Sequence, residues 1–340
     1  MLPRIAVVSS SSLGADDRRP VRSIVGWSAV NTVRLRLDLA YDGAAFSGWS
    51  RQPGLRTVEG ELGEALATIL RRGADPVDAP RVTVAGRTDA GVHAIGQVAH
   101  LELSPEEWHE IAQRDRRRGP REGGPEASLR RRLNGIAGRH GDLVVRDARR
   151  APAGFDARFS ALWRRYEYRL VDRGGPRDPR RRGHTLWVDE TLDLAAMDSA
   201  SRALTGLHDF AAFCKPREGA TTIRTLLDYS WSRDEDGALI GHVRADAFCH
   251  SMVRALVGAA IAVGAGRLDE DALLAVLDGA RRTGAAPVVG AHGLTLVEVG
   301  YPPDAELAAR AEQTRARRDP LLSDEVPHVG MPAKWFPCPS

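Results

Sequence analysis

The residues whose types and spacing could do chemistry lie closest together in one short segment, residues 86–94, which read GRTDAGVHA. A strand predicted over residues 82–85 runs into this segment, and Gly86 and Gly91 permit the tight backbone conformations of a loop. Such a loop would present Asp89 into a cleft, where a carboxylate can serve as a nucleophile or as a base. The alternative is an ordinary turn in which Asp89 accepts hydrogen bonds from nearby backbone N–H groups, and the residue types alone favour it.

The loop must be positioned by strands and helices that follow one another in mixed order. Apolar and polar alternation, or a short apolar run, predicts strands over residues 33–39, 82–85, 97–103, 143–148, 163–171, 225–233, 238–245 and 294–299. Helical periodicity predicts helices over residues 58–70 (with Thr57 as N-cap), 128–136, 193–205, 251–264 and 270–279. The mixed order, with two hairpin-like pairs, favours an α+β fold. Because each half reads roughly β-α-β-β-α-β, we predict two ferredoxin-like (split βαβ) lobes that share a mainly antiparallel sheet, with the catalytic cleft between them.

The same patterns divide the chain into segments. Residues 1–31 lack periodicity and are predicted to form a disordered leader. Residues 32–150 are predicted to form the N-terminal catalytic lobe, interrupted at 104–127 by a flexible insertion whose first half is a short helix. Residues 151–302 are predicted to form the C-terminal lobe. Residues 303–340 are polar and proline-rich and are predicted to be a tail with one helical stretch.

Composition limits the class of protein. The chain has 340 residues, of which 43% are hydrophobic, enough for a sizeable core. The sequence contains no run of about 18 apolar residues, the length that would predict a membrane span. The three cysteines, Cys214, Cys249 and Cys338, are widely spaced and form no C-x-x-C pair, so they indicate neither a zinc site nor a disulfide framework. We therefore predict a cytoplasmic protein.

The distribution of positive charge is more informative than the net charge of +3. Arginine occurs in runs at residues 116–118, 130–132, 149–150, 164–165 and 180–182, whereas Lys215 and Lys334 are the only lysines. The planar guanidinium suits phosphate groups and base edges. The alternative is a coding bias that replaces lysine by arginine on solvated faces.

The segment around Asp89 resembles the catalytic motif of the tRNA pseudouridine synthase A family, whose aspartate corresponds to Asp89. Further motifs resemble the family in chain order: residues 39–49 (LAYDGAAFSGW) with 52–53 and 57–60, residues 155–161 (FDARFSA) with 165–168 (RYEY), residues 248–254 (FCHSMVR), and residues 293–296 (GLTL) with 301–302. The resemblance covers about residues 33–302. Two positions depart from the family pattern, Ser50 where glutamine is common and Cys249 where an apolar residue is common.

The resemblance implies a homodimer that isomerises uridine to pseudouridine at positions 38–40 of the tRNA anticodon arm, without a cofactor, a metal or another protein partner. This reaction must break an N-glycosidic bond, turn the uracil and join its C5 to the sugar. A carboxylate beside C1′ and C2′ of the ribose can add to the sugar as a nucleophile or remove a sugar proton as a base. Asp89 fits either role.

Arg254 is the expected partner of Asp89. It is the one charged residue in the apolar stretch 252–266, and a buried arginine is costly unless it is paired. In a cleft closed over RNA, desolvation favours the protonated carboxyl, and a nearby cation opposes this. The alternative is that Arg254 lies at a helix edge and extends to water.

Tyr166 and Arg87 are the expected substrate contacts. The ring of Tyr166 could stack on the target uracil, although Tyr166 and Tyr168 share one strand face and either could belong to the core. We expect Arg87 to contact the RNA backbone or to fill the base stack when the uridine flips out, which the reaction requires because a stacked base hides the sugar–base bond. A structural salt bridge is the alternative for Arg87, and His93 is expected to hold the loop.

Two other functions remain possible from the sequence. A non-catalytic RNA-binding protein could keep this fold, but binding alone does not need a carboxylate beside a phosphodiester. A sugar-acting hydrolase with an aspartate nucleophile usually needs two carboxylates across the bond. Asp42 is the nearest second acid in sequence, and Gly43 beside it favours a turn.

Overall fold

A computed structural model describes residues 32–73, 79–117, 123–217, 221–280 and 286–315. The strands of these ranges are β1 Val33–Tyr41, β2 Val82–Val84, β3 His93–Leu103, β4 Leu143–Arg150, β5 Trp163–Val171, β6 Leu186–Trp187, β7 Gly206–Asp209, β8 Ile223–Arg233, β9 Leu239–Ala245 and β10 Leu294–Gly300. The helices are α1 Val58–Leu70, α2 Pro105–Arg117, α3 Gly124–Ile136, α4 Leu194–Ala203, α5 Met252–Gly264, α6 Glu270–Asp278 and α7 Leu307–Arg315. The predicted leader and residues 316–340 of the predicted tail lie outside the described residues.

The strands form one sheet in the order β4-β1-β3-β10-β5-β9-β8-β7, with β2 beside β3 and β6 beside β5. The first half therefore has the strand order β4-β1-β3-β2, and the second half repeats it as β10-β5-β9-β8. This is the split βαβ arrangement expected from the element order of each half. Most strand pairs are antiparallel, and the two halves join where β10 runs parallel to β3. The predicted α+β class with a mainly antiparallel sheet is confirmed.

The join between the halves leaves an opening in the sheet. Strand β2 pairs with the later part of β3, where Val84 faces Ala99. Strand β10 pairs with the first residues of β3, where Thr295 faces His93. The connection from β2 to β3 therefore emerges between β2 and β10, and it contains the glycine-bracketed loop at residues 86–92.

Local signals account for several helices. Helix α1 begins after Thr57, whose side-chain oxygen accepts the Gly60 N–H at 3.2 Å, as expected of an N-cap. Helix α5 buries twelve of its thirteen residues and exposes only Arg254 in part, as its apolar sequence predicted. No helix within the described ranges is long and apolar enough to cross a membrane.

The region predicted as a flexible insertion contains more helix than expected. Helix α2 occupies residues 105–117 and buries Trp108 and Ile111. Helix α3 begins at Gly124 rather than at residue 128, because Pro125 stands in the first turn, where its missing N–H costs nothing. Residues 118–122 lie outside the described residues. Beyond residue 302, helix α7 also packs on the core through buried Leu307 and Ala311.

Candidate active site

A cleft of about 1050 Å³ lies at the opening between the two halves, and it is lined by residues from both. The structure brings Asp89, Arg87, Tyr166 and Arg254 together around this one cleft. These residues come from the β2–β3 loop, strand β5 and helix α5. The residues singled out by type and motif are therefore neighbours in space.

Buried polar side chains hold the loop that carries Asp89 through hydrogen bonds. Gln97 donates to the Gly86 carbonyl at 2.8 Å and to the Tyr41 hydroxyl at 3.1 Å. The Tyr41 hydroxyl in turn lies 2.8 Å from the Thr88 hydroxyl. Both Gln97 and Tyr41 are buried, and burial raises the pKa of Tyr41 to about 12, so its hydroxyl stays protonated at neutral pH. This network fixes the residue directly before Asp89.

Two glycines allow the close packing around the loop. Gly91 has a φ of +80°, in the left-handed region that glycine favours, whereas Gly86 does not have a positive φ. Gly48 has a φ of +90°, and a Cβ there would lie 2.9 Å from the Thr88 carbonyl oxygen. The loop after β1 thus lies directly against the Asp89 loop, and the Trp49 N–H donates to the same carbonyl at 3.1 Å. Trp49 is buried and serves packing rather than base stacking.

The carboxylate of Asp89 faces side-chain nitrogen atoms rather than backbone amides. Its Oδ2 lies 3.6 Å from Nη1 of Arg254, and its Oδ1 lies 3.4 Å from Nε2 of His250. Among the described residues no backbone N–H donates to this carboxylate, so the alternative of an ordinary turn is not observed. The Asp89 side chain is 27% exposed, which leaves it accessible from the cleft.

His250 is a residue of the site that sequence reasoning missed. Its side chain is half exposed, and its carbonyl accepts the Lys215 N–H at 3.1 Å. Ser251, which follows it, has a φ of +63° without being a glycine, the kind of strain that occurs at functional sites. The spacing of His250 and Arg254, four residues apart across the start of α5, was the signal available in the sequence.

Tyr166 forms part of the wall of the cleft. It is buried, and its ring packs edge-on against Phe248 with centroids 5.1 Å apart and planes at 89°. Its hydroxyl has no hydrogen-bond partner in the described part of the chain, and that atom is not among the fully buried ones. Tyr168, on the same face of β5, is fully buried and donates to the Gly290 carbonyl at 2.7 Å. The two tyrosines therefore differ, since only Tyr166 reaches the cleft.

Several cationic side chains lie at the rim of the cleft. Each is exposed, and none forms an ion pair with a carboxylate in the described ranges. These residues are Arg81, Arg87, Arg158, Lys215 and Arg217. The structural salt bridge considered for Arg87 is thus not observed. Five cations without acidic partners make the rim attractive to a polyanion.

The arginine runs do not supply this rim. Of the described run residues, only Arg164 lines the cleft. Most of the others lie elsewhere on the surface and pair with carboxylates; Arg149, for example, pairs with Asp38 at 2.7 Å and Arg180 with Asp178 at 2.8 Å. An arginine already paired with an acid attracts phosphate less strongly. Apart from Arg164, the described residues of the runs do not line the cleft, and isolated cations take that place at its rim.

One cluster outside the cleft has groups of the types that bind metals. Ligand atoms of Asp42, His93 and His184 all lie within 4.8 Å of one another. Nδ1 of His93 accepts the Gly43 N–H at 3.0 Å and also lies 3.0 Å from Oδ1 of Asp42, and its Nε2 lies 3.0 Å from the His292 carbonyl oxygen. Burial, followed by the neighbouring His184, lowers the pKa of His93. Both ring nitrogens thus have protein partners, so we assign His93 the structural role that was expected of it.

Comparisons with known proteins agree with the geometry. A family model described as tRNA pseudouridine synthase matches residues 200–302. The chain is 59% identical over 288 residues to tRNA pseudouridine synthase A of Leifsonia xyli subsp. xyli, covering 84% of this chain and 97% of that protein. It is 53% identical to proteins of the same name from Frankia casuarinae, covering 85% and 96%, and from Streptomyces griseus subsp. griseus, covering 83% and 93%. Each similarity spans nearly the whole length of the relative.

Proposed function

The chain belongs to the tRNA pseudouridine synthase A family, and from that premise we propose that it isomerises uridine at positions 38–40 of the tRNA anticodon arm, with Asp89 as the catalytic carboxylate. The observation that carries the assignment is the position of Asp89, which lies in the cleft 3.6 Å from Arg254 and 3.4 Å from His250. A guanidinium and an imidazole thus face one carboxylate that is accessible from the cleft, where it can act on a substrate.

Asp89 acts on the ribose of the target nucleotide. As a nucleophile it adds to C1′ while the uracil leaves, and C5 of the turned uracil then displaces it; as a base it removes the proton from C2′ while the uracil leaves, and returns that proton to C2′ when C5 adds to C1′. Either route breaks the bond from C1′ to N1 and ends with a bond from C1′ to C5. A proton is lost from C5 and one is gained at N1, so the overall change is an isomerisation that consumes no other reactant.

The substrate enters with its target base turned out of the stack. Flipping exposes the bond from C1′ to N1, which a stacked base hides. The flipped uracil would lie against the ring of Tyr166, since this ring lines the same cleft as Asp89. Burial raises the pKa of Tyr166, so its hydroxyl stays neutral and does not serve as a base.

The exposed cations at the rim would contact phosphates of the anticodon stem-loop. Phosphate contacts fix the register of an RNA helix, which is recognised mostly by its shape. Arg87, which belongs to the Asp89 loop itself, is the rim residue placed to contact the backbone of the target nucleotide. The family also supports a homodimer, and a tRNA substrate implies that the protein acts in the cytoplasm.

The proposed function is tested by mapping pseudouridine in total tRNA from cells with and without this chain. Loss of pseudouridine at positions 38–40, and its return when the wild-type chain is supplied again, is the expected result. Unchanged pseudouridine at all three positions would refute the assignment of the target nucleotides. Loss at other tRNA positions would keep the activity and correct its target.

A further inference from the structure

Arg164 is buried beneath the cleft and binds only backbone carbonyl groups. Its Nη1 donates to the Asp246 carbonyl at 2.7 Å, and its Nη2 donates to the Ala85 and Arg158 carbonyls at 2.8 and 2.9 Å. The residue is 8% exposed. In the described part of the chain it forms no ion pair with a carboxylate. A buried cation without a paired anion is costly to the fold, which calls for a reason beyond general stability.

The three carbonyl groups belong to three separate segments of the chain that line or adjoin the cleft. Ala85 directly precedes the Asp89 loop, and a Cβ on Gly86 would lie 3.9 Å from Nε of Arg164. Arg158 is one of the exposed rim cations. Asp246 directly follows the last residue of β9, two residues before Phe248. One rigid guanidinium therefore links the catalytic loop, the rim and the segment that leads to His250.

The strand that carries Arg164 also carries Tyr166. Residues two apart on a strand project to the same face, and the burial pattern of β5 places Arg164, Tyr166 and Tyr168 together on the buried face. Arg165 projects to the other face, where it pairs with Glu167 at 3.0 Å and with Glu298 at 3.1 Å. Two adjacent arginines of one run thus have different surroundings, and Arg165 is a matched control for Arg164.

We propose that Arg164 is a positioning residue that sets the placement of the Asp89 loop relative to the wall carrying Tyr166, Phe248 and His250. This inference rests on the proposed function. Its three hydrogen bonds fix the walls in their reactive arrangement before tRNA binds. Loss of the planar guanidinium of Arg164 removes these three hydrogen bonds and shifts Asp89 from its place. Small misplacements of a catalytic group slow the chemical step far more than they weaken binding.

The test compares Arg164→Lys and Arg164→Gln with Arg165→Lys in the full-length protein. The lysine variant keeps the charge but loses the planar fork, and the glutamine variant keeps a donor without the charge. Three quantities are measured: the single-turnover rate of pseudouridine formation at saturating enzyme, the Kd for tRNA, and the hydrogen-exchange rates of the amides of residues 86–91.

For Arg164→Lys we expect a rate about 10- to 100-fold below wild type, a Kd within about threefold of wild type, and faster exchange in the loop. Arg165→Lys should match wild type in all three. A rate within about twofold of wild type with unchanged exchange, or equal losses of rate, affinity and melting temperature in both Arg164 variants, would overturn the proposal. Absence of pseudouridine formation by wild-type protein would instead refute the proposed function, and the exchange measurement would still decide the role of Arg164.

Discussion

Arg254 is anchored at one end of its guanidinium and faces Asp89 with the other. Its Nε donates to the Val289 carbonyl at 2.7 Å, and its Nη1 lies 3.6 Å from Oδ2 of Asp89. The anchor holds the cation on the second half of the chain, in helix α5, whereas the carboxylate belongs to the β2–β3 connection of the first half. The pair therefore bridges the cleft, and closure over RNA would strengthen it by removing water.

Removing this cation should act on chemistry more than on binding. Arg254→Ala is expected to lower activity most at the acidic end of the assay range and to recover in part as pH rises, because the carboxylate loses a neighbour that favours its ionised form. The activity of Arg254→Lys should lie between those of wild type and Arg254→Ala, since lysine keeps the positive charge but loses the planar guanidinium. The measurement is the pH–rate profile of each variant under single-turnover conditions.

Two other roles of Arg254 give different results. A phosphate contact would weaken tRNA binding without changing the shape of the pH profile. A purely structural role would lower the melting temperature, the binding and the rate together. A profile of Arg254→Ala that superimposes on that of wild type would refute the ion-pair assignment.

Substitutions of Tyr166 separate the role of its ring from that of its hydroxyl. Tyr166→Phe should retain activity within about threefold, because the hydroxyl has no protein partner in the described structure and the ring remains to stack. Tyr166→Leu should lose at least about tenfold, since it removes both the stacking surface and the edge-on contact with Phe248. Steady-state kinetics with an anticodon stem-loop RNA would measure both.

Tyr168→Phe is the matched control for this pair, because Tyr168 lies on the same strand face but in the core. It should cost about 1 kcal/mol of stability through loss of its bond to Gly290 and leave the rate unchanged. If Tyr166→Phe and Tyr166→Leu both behave like wild type, Tyr166 is not a substrate contact.

Binding to tRNA should weaken steeply with salt. The exposed rim cations release counterions from the RNA when they bind phosphates, and the slope of log K against log salt counts those contacts. Arg158→Gln should reduce this slope by about one. Arg149→Gln should not, because Arg149 already pairs with Asp38. A flat salt dependence of wild-type binding would contradict the cationic rim.

The stability of the fold should depend on His100 below neutral pH. Burial lowers the pKa of His100 from 6.5 to about 4, and its Nδ1 accepts the Ala157 N–H at 3.0 Å. The unfolded chain takes up a proton near pH 6.5 while the folded chain does not. The stabilisation is thus fully present above pH 6.5 and is lost as pH falls towards 4, by at most on the order of 3 kcal/mol.

Urea unfolding of wild type, His100→Gln and His109→Gln between pH 7 and pH 4 measures this effect. His109 is exposed on α2 and serves as the control. Wild type and the His109 variant should lose stability over this range more steeply than the His100 variant does. Equal slopes in all three proteins would show that His100 does not control the acid sensitivity.

Local features of the fold could be predicted from the sequence, and non-local ones could not. Helix α1 was predicted over residues 58–70 and strand β5 over residues 163–171, and both have these bounds in the structure. A cap and a periodicity are properties of the segment itself. Strand β3, in contrast, begins at His93 rather than at residue 97, because its first residues pair with β10 from the far end of the chain.

The candidate site shows the same division between local features, which could be predicted from the sequence, and non-local features, which could not. The residue types and motifs selected Asp89, Arg254 and Tyr166, which the structure places around one cleft. Alternation along β5 implied that Arg164 and Arg165 face opposite ways, but not which one is buried, because that depends on what packs against the strand. Gln97 was missed because its importance comes only from contacts made across the sequence, and His250 was missed although its spacing from Arg254 was a local signal.

The most direct test of the catalytic role of Asp89 is the single-turnover rate of Asp89→Asn on tRNA, measured beside Asp42→Asn. The amide is nearly isosteric but is neither a nucleophile nor a base, so pseudouridine formation should be abolished while tRNA affinity and melting temperature stay near wild type. Asp42→Asn should retain activity, since Asp42 caps a turn by accepting the Ala44 N–H at 2.9 Å, which asparagine can also do. Turnover by Asp89→Asn within about tenfold of wild type, a loss of under roughly 1.4 kcal/mol in transition-state stabilisation, would contradict the account.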